Sequence, residues 1–302
     1  GCTSGSQMAV GIHPRPGYEP LLLARAFVWL PDGVRLREGQ TAGDSVAALQ
    51  AGELDAATLT LDEALAVRAS GIALTIVLVF DSSVGADMVM ARPSIRALAD
   101  IAGRRVAVER GAVGEVVLQK LLEAAGLDEA AVTVLDIAPD RQLDAWRAGE
   151  IDVAIGYEPF SSLLGREGAR RLFDSRQFPG LIFDVLAVRR DRLAAHRAQV
   201  EALLAGHFRA LAHLRVNRED GLRRIAAWRG LSFDEAERSY AGLNLPDVAG
   251  NRSYLDTGGE RGILRAAREL NALMLRAGRI KVADDLVGLI DPGFLPRNGG
   301  VP

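Results

Sequence analysis

Two stretches of the chain read almost alike: Ala48-Leu49-Gln50-Ala51-Gly52-Glu53-Leu54-Asp55-Ala56-Ala57 and Ala145-Trp146-Arg147-Ala148-Gly149-Glu150-Ile151-Asp152-Val153-Ala154. In each, helix-compatible residues give way to Gly, an acidic residue, an aliphatic one, Asp, and then small and β-branched residues. Gly readily adopts the left-handed conformation that ends a helix, and the run after Asp suits a strand covered on both faces. The phrase reads as a helix end leading into a strand, and its repetition predicts two similar α/β units. Capping and packing account for its residues without a ligand.

Working outward, the first unit has a strand at Met8–Ile12 and a Pro- and Gly-rich loop from His13 to Gly17. Helical spacing follows from Pro20 to Phe27, then a turn at Pro31-Asp32-Gly33, a strand at Val34–Leu36, a helix at Asp44–Ala51 and a strand at Ala56–Leu59. The second unit repeats the order: strand Val106–Val108, loop Glu109–Gly114, helix Glu115–Ala125, strand Val132–Ile137, helix Arg141–Ala148 with Asp140 as its N-cap, and strand Ile151–Ile155. Such alternation predicts parallel sheets wound with helices on both faces. Ligands of open α/β sheets lie beyond the carboxyl ends of the strands. The two copies lead there to Thr58–Glu63 and Gly156–Phe160, so two facing units would enclose one cleft. Met88–Ala91 and Leu181–Val188 read as crossover strands. After Asp191 the chain reads as helical, with Arg192–Arg215, a helix capped by Ser232 and Glu235, and Gly262–Ala277.

A length of 302 residues suits two modest domains. The net charge is −3, and acidic residues interleave with the arginines between Arg192 and Arg229, which describes a solvated helical face rather than a nucleic-acid footprint. The longest apolar run, Gly71–Phe80, falls short of the roughly 18–20 residues that span a bilayer. Cys2 is the sole cysteine, which excludes an internal disulfide and a cysteine-based metal cluster. The spacing of His196, His207 and His213 does not bring them to one helix face, so no metal is expected. The only lysines, Lys120 and Lys281, lie away from strand ends, which argues against a Schiff-base cofactor. No nucleophile elbow or phosphate-binding loop is present, and no cofactor is expected.

Taken together, H-P-R-P-G-Y-E-P (13–20), A-L-Q-A-G-E-L-D-A-A-T-L-T-L-D-E-A (48–64), S-S-V-G-A-D (82–87), L-A-D-I-A-G-R-R-V-A-V-E-R-G (98–111), A-G-E-I-D-V-A-I-G-Y-E-P (148–159), L-F-D-S (172–175) and D-P-G-F-L-P (291–296) carry a resemblance. The chain resembles bacterial type II periplasmic solute-binding proteins of the nitrate/sulfonate/taurine and thiamine-pyrimidine-precursor group, which serve ATP-driven importers. The resemblance implies an α/β fold of two doubly wound Rossmann-like lobes joined by a two-strand hinge, with a helical C-terminal segment. Residues 1–7 would be a tether, 8–85 and 188–255 lobe 1, 86–187 lobe 2, and 256–302 a helical extension packed on lobe 1. It further implies a monomer at the periplasmic or cell-surface side of a membrane that hands a small molecule to an ABC-transporter permease and performs no catalysis. Gly1-Cys2 then matches the remnant of a lipoprotein cleavage site, with Cys2 lipidated. Rivals are an enzyme like the pyrimidine synthase of the same fold and an effector domain of a regulator.

Carried over by position, the family's ligand contacts fall on His13, Pro16, Gly17, Tyr18, Thr60, Asp62, Glu109, Gly111, Ala112, Gly114, Tyr157 and Glu158, with Asp81, Asp87 and Asp184 near the crossovers. Relatives often carry Trp where this chain has Arg15, so either a guanidinium plane replaces an aromatic platform or the platform is missing. Carboxylates in a desolvated cleft accept hydrogen bonds from N–H groups or balance a positive charge. Glu109, Glu158 and the four aspartates therefore favour a nitrogen-bearing ligand such as an aminopyrimidine or an amine. The alternatives are an anion, sulfonate or nitrate, held by the backbone N–H groups of Gly111–Gly114 with Arg15, and a hydrophobic cargo near Phe160 and Phe183.

Overall fold

A computed structural model describes residues 7–259 and 261–297; Cys2 and most of the tether lie outside them. The first unit runs β1 (Met8–Ile12), α1 (Glu19–Ala26), β2 (Val34–Glu38), α2 (Ala42–Gln50), β3 (Ala56–Thr60), α3 (Leu61–Ala69) and β4 (Leu74–Ser83). The second runs β5 (Met88–Ala91), β6 (Arg105–Val108), α4 (Gly114–Ala125), β7 (Thr133–Asp136), α5 (Pro139–Arg147), β8 (Val153–Gly156), α6 (Phe160–Arg166) and β9 (Arg170–Asp174). The chain then returns through β10 (Phe183–Arg189), α7 (Arg197–Val216), α8 (Arg218–Arg229), α9 (Phe233–Ala241), β11 (Leu243–Asn244), α10 (Val248–Tyr254) and α11 (Ile263–Arg276).

The doubled phrase does the same work in both places. Gly52 and Gly149 adopt φ of 73° and 71° after α2 and α5, and Leu54 and Ile151 enter the core. Each following Asp clamps the start of the neighbouring strand: Asp55 Oδ2 accepts the Ala9 N–H at 2.8 Å, and Asp152 Oδ2 accepts the Arg105 N–H at 2.9 Å. Those strands, β1 and β6, pair in parallel with β3 and β8.

The sheets are mixed rather than wholly parallel. Their strand orders are β11-β4-β10-β3-β1-β2 and β7-β6-β8-β5-β9, with β10 antiparallel to β3 and β4, and β5 antiparallel to β8 and β9. The crossover strands cause this, because each enters its sheet from the other lobe. β10 lies in the middle of the first sheet, so residues 183–187, expected in lobe 2, belong to the sheet of lobe 1. Residues 84–87 and 175–182 make the two crossings. They are bonded to each other: the Gly85 N–H donates to Ser175 Oγ at 2.7 Å, and the Ser175 N–H reaches Asp87 O at 2.9 Å.

Other expectations shift locally. Pro139 begins α5 with Ala138 as its N-cap, so Asp140 sits inside the first turn. A short turn at Arg190–Arg192 precedes α7, which starts at Arg197. After α11 the described chain is irregular apart from a single 3-10 turn at Pro292–Phe294, and it bonds to β4: Ile76 N–H donates to Leu289 O at 2.6 Å and Asp291 N–H to Ile76 O at 2.9 Å. Arg68 forks onto Asp284 at 2.7 and 2.9 Å and anchors the same segment to α3. No helix among the described residues is long and apolar enough to cross a membrane.

His207 on α7 is fully buried against the edges of Phe80 and Phe208, with ring centroids 5.0 and 5.2 Å away. Burial alone pulls its pKa down to about 3. The unfolded chain takes up that proton near pH 6.5, so between these values the native state binds fewer protons and stability falls as pH drops, at a limiting slope of about 1.4 kcal/mol per pH unit. His13, also held at about 3, adds to this fall. His207→Met is expected to remove roughly half of the imidazole-linked loss in urea unfolding followed from pH 6.5 to 4.5; an unchanged slope would rule out His207 as a source.

Candidate functional site

The loop after β1 places Arg15 between Pro14 and Pro16, which hold it in extended backbone with φ −166°. Its guanidinium is only 2% exposed. Nη1 and Nη2 donate to Asp87 Oδ1 and Oδ2 at 2.7 and 2.9 Å, and Nε donates to Asp184 Oδ1 at 2.5 Å. Tyr18 Oη donates to the same Asp184 oxygen at 2.7 Å. Arg15 Cζ lies 4.7 Å from the centroid of the Tyr157 ring, inside the range of a cation–π contact.

The sheet positions these carboxyls. On β10, Asp184 lies opposite Thr60 of β3 and Asp81 of β4. Two like charges directly opposite are unfavourable, and a fully buried pair holds one proton between them. Burial, then the Asp184 charge, pushes Asp81 well above the carboxylate range. Burial opposes ionisation of Asp184 as well, but the Arg15 charge and the hydrogen bonds from Asp81, Arg15 and Tyr18 outweigh it and hold Asp184 low. Asp81 therefore carries the proton and shares it with Asp184. Gly17 packs directly on this pair: a Cβ there would stand 1.7 Å from Asp81 Oδ2.

The opposite wall comes from the start of α4 and the ends of β6 and β8. Asp87, Glu109, Val113, Gly114, Pro139, Ile155, Gly156 and Tyr157 surround a cavity of about 10 Å³, roughly the room of one water molecule. Carboxylates tie the lobes together around it. Glu109 accepts the Gly43 N–H at 3.1 Å from the start of α2. Glu63 accepts the Thr60 N–H at 2.8 Å on its own helix and the Val113 N–H at 2.9 Å across the cleft. Burial raises Glu109 to about 7. Burial and the neighbouring Asp62 charge raise Glu63 to about 8, against the opposing bond from Thr60.

The candidate residues thus separate. Arg15, Gly17, Tyr18, Asp81, Asp87, Asp184 and the Tyr157 ring form one buried cluster, with Glu109 and Gly114 beside it. His13 packs edge-on to Tyr18 at 5.3 Å as a neutral ring, Pro16 O accepts from Tyr240 Oη at 2.9 Å, and Thr60 lies beside Asp184 in the sheet. Asp62 is taken by Arg279 at 2.7 Å, and the same guanidinium reaches Gly111 O at 2.9 Å. The Gly111 N–H is held by Glu115 at 2.9 Å, and Ala112 is buried beside it. Glu158, expected among the ligand contacts with Glu109, is turned away from it: it accepts the Ser162 N–H and hydroxyl at 3.0 and 2.8 Å and lines a separate groove with Met88 and Met90. Glu158 stands in the turn between β8 and α6, where the Ser162 N–H and hydroxyl hold its carboxyl.

Sequence reasoning missed Glu63, Gly43 and Arg279. Glu63 was within reach, because Thr60-Leu61-Asp62-Glu63 has the spacing of a capping box. The other two depend on which surfaces the hinge brings together. Among the described residues no group of three His, Cys, Asp or Glu is placed to hold a metal ion.

The site is rich in buried carboxyl oxygens. Six carboxyls, Asp62, Glu63, Asp81, Asp87, Glu109 and Asp184, are buried here, and three of them, Asp87, Asp184 and Asp62, pair with the guanidiniums of Arg15 and Arg279. Two backbone donors near the start of α4 that an anion would use, the N–H groups of Gly111 and Val113, already bond to the chain's own glutamates.

The NMT1-like family profile matches residues 4–229. No curated protein matches the sequence. Among solved structures, the chain is similar to the periplasmic aliphatic sulphonate binding protein SsuA from Escherichia coli, at 18% identity over 94% of this chain and 97% of that one, with a TM-score of 0.75. It is similar also to the alkanesulfonate-binding protein SsuA from Xanthomonas axonopodis pv. citri bound to MOPS, at 19% identity over 98% and 96% with a TM-score of 0.73. The periplasmic nitrate-binding protein NrtA from Synechocystis PCC 6803 aligns at 13% identity over 96% and 87%, with a TM-score of 0.75. At such identities the likeness shows the fold, that of a two-lobed periplasmic binding protein.

Proposed function

This chain belongs to the NMT1-like family, and from that premise we propose that it is an extracytoplasmic solute-binding protein that captures a small nitrogen-bearing solute between its lobes and delivers it to an ABC importer. The observation that carries the choice of ligand is the set of buried carboxyls around the cleft, whose oxygens offer hydrogen-bond acceptors. An anion buried there would compete with Glu115 and Glu63 for the Gly111 and Val113 N–H groups they already hold, whereas an amine or aminopyrimidine would meet acceptors. Glu109 is the acceptor best placed to serve it, since one of its oxygens bonds to Gly43 while the residue lines the cavity. Binding, not catalysis, is the role proposed, and a membrane permease is the proposed partner.

A second reading keeps an anion in view. Arg15 has five N–H donors, of which three bond to Asp87 and Asp184, and the SsuA and NrtA structures are named for sulfonate and nitrate binding. A thermal-shift series with aminopyrimidines, amines, alkanesulfonates and nitrate separates the two readings. A solute at a hundredfold excess over its dissociation constant stabilises the folded protein by about 2.7 kcal/mol. Stabilisation by nitrogenous solutes, weakened tenfold or more in Glu109→Gln, is expected; a response to sulfonates or nitrate alone sinks the nitrogen reading.

A further inference from the structure

The surroundings of the Arg15 side chain are those of a receptor site for a planar cation. Asp87 engages one edge of the guanidinium through two parallel hydrogen bonds, Asp184 takes Nε on a second edge, and the Tyr157 ring covers a face at 4.7 Å. In-plane carboxylates plus an aromatic face are what a guanidinium or amidinium requires for recognition. The three partners come from different parts of the fold: Asp184 from the central strand of lobe 1, Asp87 from the crossing segment, and Tyr157 from the end of β8 in lobe 2. A cation in this cage therefore draws the lobes together, as a solute held between them would. The adjoining cavity, about 10 Å³, admits no second cationic head while the Arg15 side chain stays in place. Pro14 and Pro16 restrict the flanking backbone, so the cage empties by movement of the side chain rather than of the loop.

We infer that the cage of Asp87, Asp184 and Tyr157 is the binding site for a planar amidinium or guanidinium head group of the solute, and that Arg15 fills it as an internal stand-in. This rests on the nitrogen-ligand reading and narrows it to cations with two parallel N–H donors. The apparent affinity for the solute then includes the displacement of Arg15, and shortening this side chain exposes the cage.

The test uses Arg15→Ala in the full chain, with millimolar methylguanidinium chloride as probe and sodium chloride at equal concentration as control. Melting temperature and radius of gyration in solution are both read. The variant is expected to be more open than the wild type, to close when methylguanidinium is added, and to gain about 2–4 °C in melting temperature, while the wild type shows neither change. A folded variant that ignores methylguanidinium, or that is as closed as the wild type without it, overturns the inference. If the variant folds only with methylguanidinium present, the inference stands. If it folds under neither condition, Arg15→Lys takes its place, because an ammonium lacks the fork that engages Asp87; methylguanidinium must raise its melting temperature above that in sodium chloride, and no rise overturns the inference. The outcomes separate the two proposals. Nitrogenous solutes that stabilise the wild type while the variants ignore methylguanidinium remove the cage and leave the solute reading intact. Variants that respond to methylguanidinium in a protein whose wild type binds no nitrogenous solute support the cage and remove that reading.

Discussion

Replacing Asp184 by alanine is expected to destabilise the protein by roughly 3–5 kcal/mol, the cost of leaving a buried ion pair without one partner. Asp184 Oδ1 receives Arg15 Nε at 2.5 Å and Tyr18 Oη at 2.7 Å, and its carboxyl shares the proton of Asp81. The substitution leaves all three groups facing a space that water does not reach. Comparison of the two aspartates makes the argument specific. Because Asp81 carries the proton, Asp81→Asn replaces a donor by a donor of nearly the same shape and is expected to change stability by no more than about 1 kcal/mol. Asp184→Asn removes the charge that Arg15 faces and should cost clearly more, because hydrogen bonds to charged groups are about twice as strong as neutral ones. Urea unfolding near pH 7 measures all three. Equal costs for the two asparagine variants would contradict the placement of the proton, and a cost for Asp184→Ala below about 1 kcal/mol would mean that the cluster is wet.

The features legible in the sequence are those fixed by local chemistry. Gly52 and Gly149 sit where only a left-handed residue ends the helix, and the apolar runs after them mark β3 and β8. Such signals identify strands and helices but not their neighbours. The insertion of β10 between β3 and β4 rests on contacts with strands more than 100 residues earlier in the chain, so no periodicity within 181–188 distinguishes it from a strand of the second sheet. The pairing of Ile76 with Ile290 was hidden for the same reason, in a segment without strand pattern. At the site, the departure at Arg15 was visible as a residue type, but its partners were not. Asp87 and Asp184 are 72 and 169 positions away and meet Arg15 only because both crossings pass beside the loop after β1. Tyr157 and Glu158 show the opposite limit: adjacent in sequence and similar as candidates, they face different spaces across the turn that follows β8.

Gly17→Ala should be about as damaging as Asp184→Ala, and for a reason that charge does not supply. No unusual backbone angle is involved, since the short turn Pro16–Tyr18 is open to any residue after Pro. The obstacle is contact: a methyl group at position 17 would lie 1.7 Å from Asp81 Oδ2, 2.9 Å from its Cγ and 3.6 Å from Asp184 Oδ2. These oxygens cannot retreat freely, because Asp184 is fixed by Arg15 and Tyr18 and Asp81 is fixed by Asp184. Overpacking of a core costs 1–3 kcal/mol where neighbours yield; here the displacement also breaks the proton-sharing pair, so about 3 kcal/mol or more is expected. Truncating Asp81 should make room. In the double variant Gly17→Ala with Asp81→Ala, the loss is expected to be smaller than the sum of the single losses by at least about 1 kcal/mol, the coupling typical of residues in direct contact. Additive losses in urea unfolding would show that the methyl group is accommodated elsewhere and that Gly17 does not seat the carboxyl pair. The double variant also bears on ligand recognition, because it removes the shared proton but leaves Arg15, Asp87 and Tyr157 as they stand. Solute affinity retained in this background, measured by the same thermal shift, would show that recognition does not require Asp81 or the proton it shares.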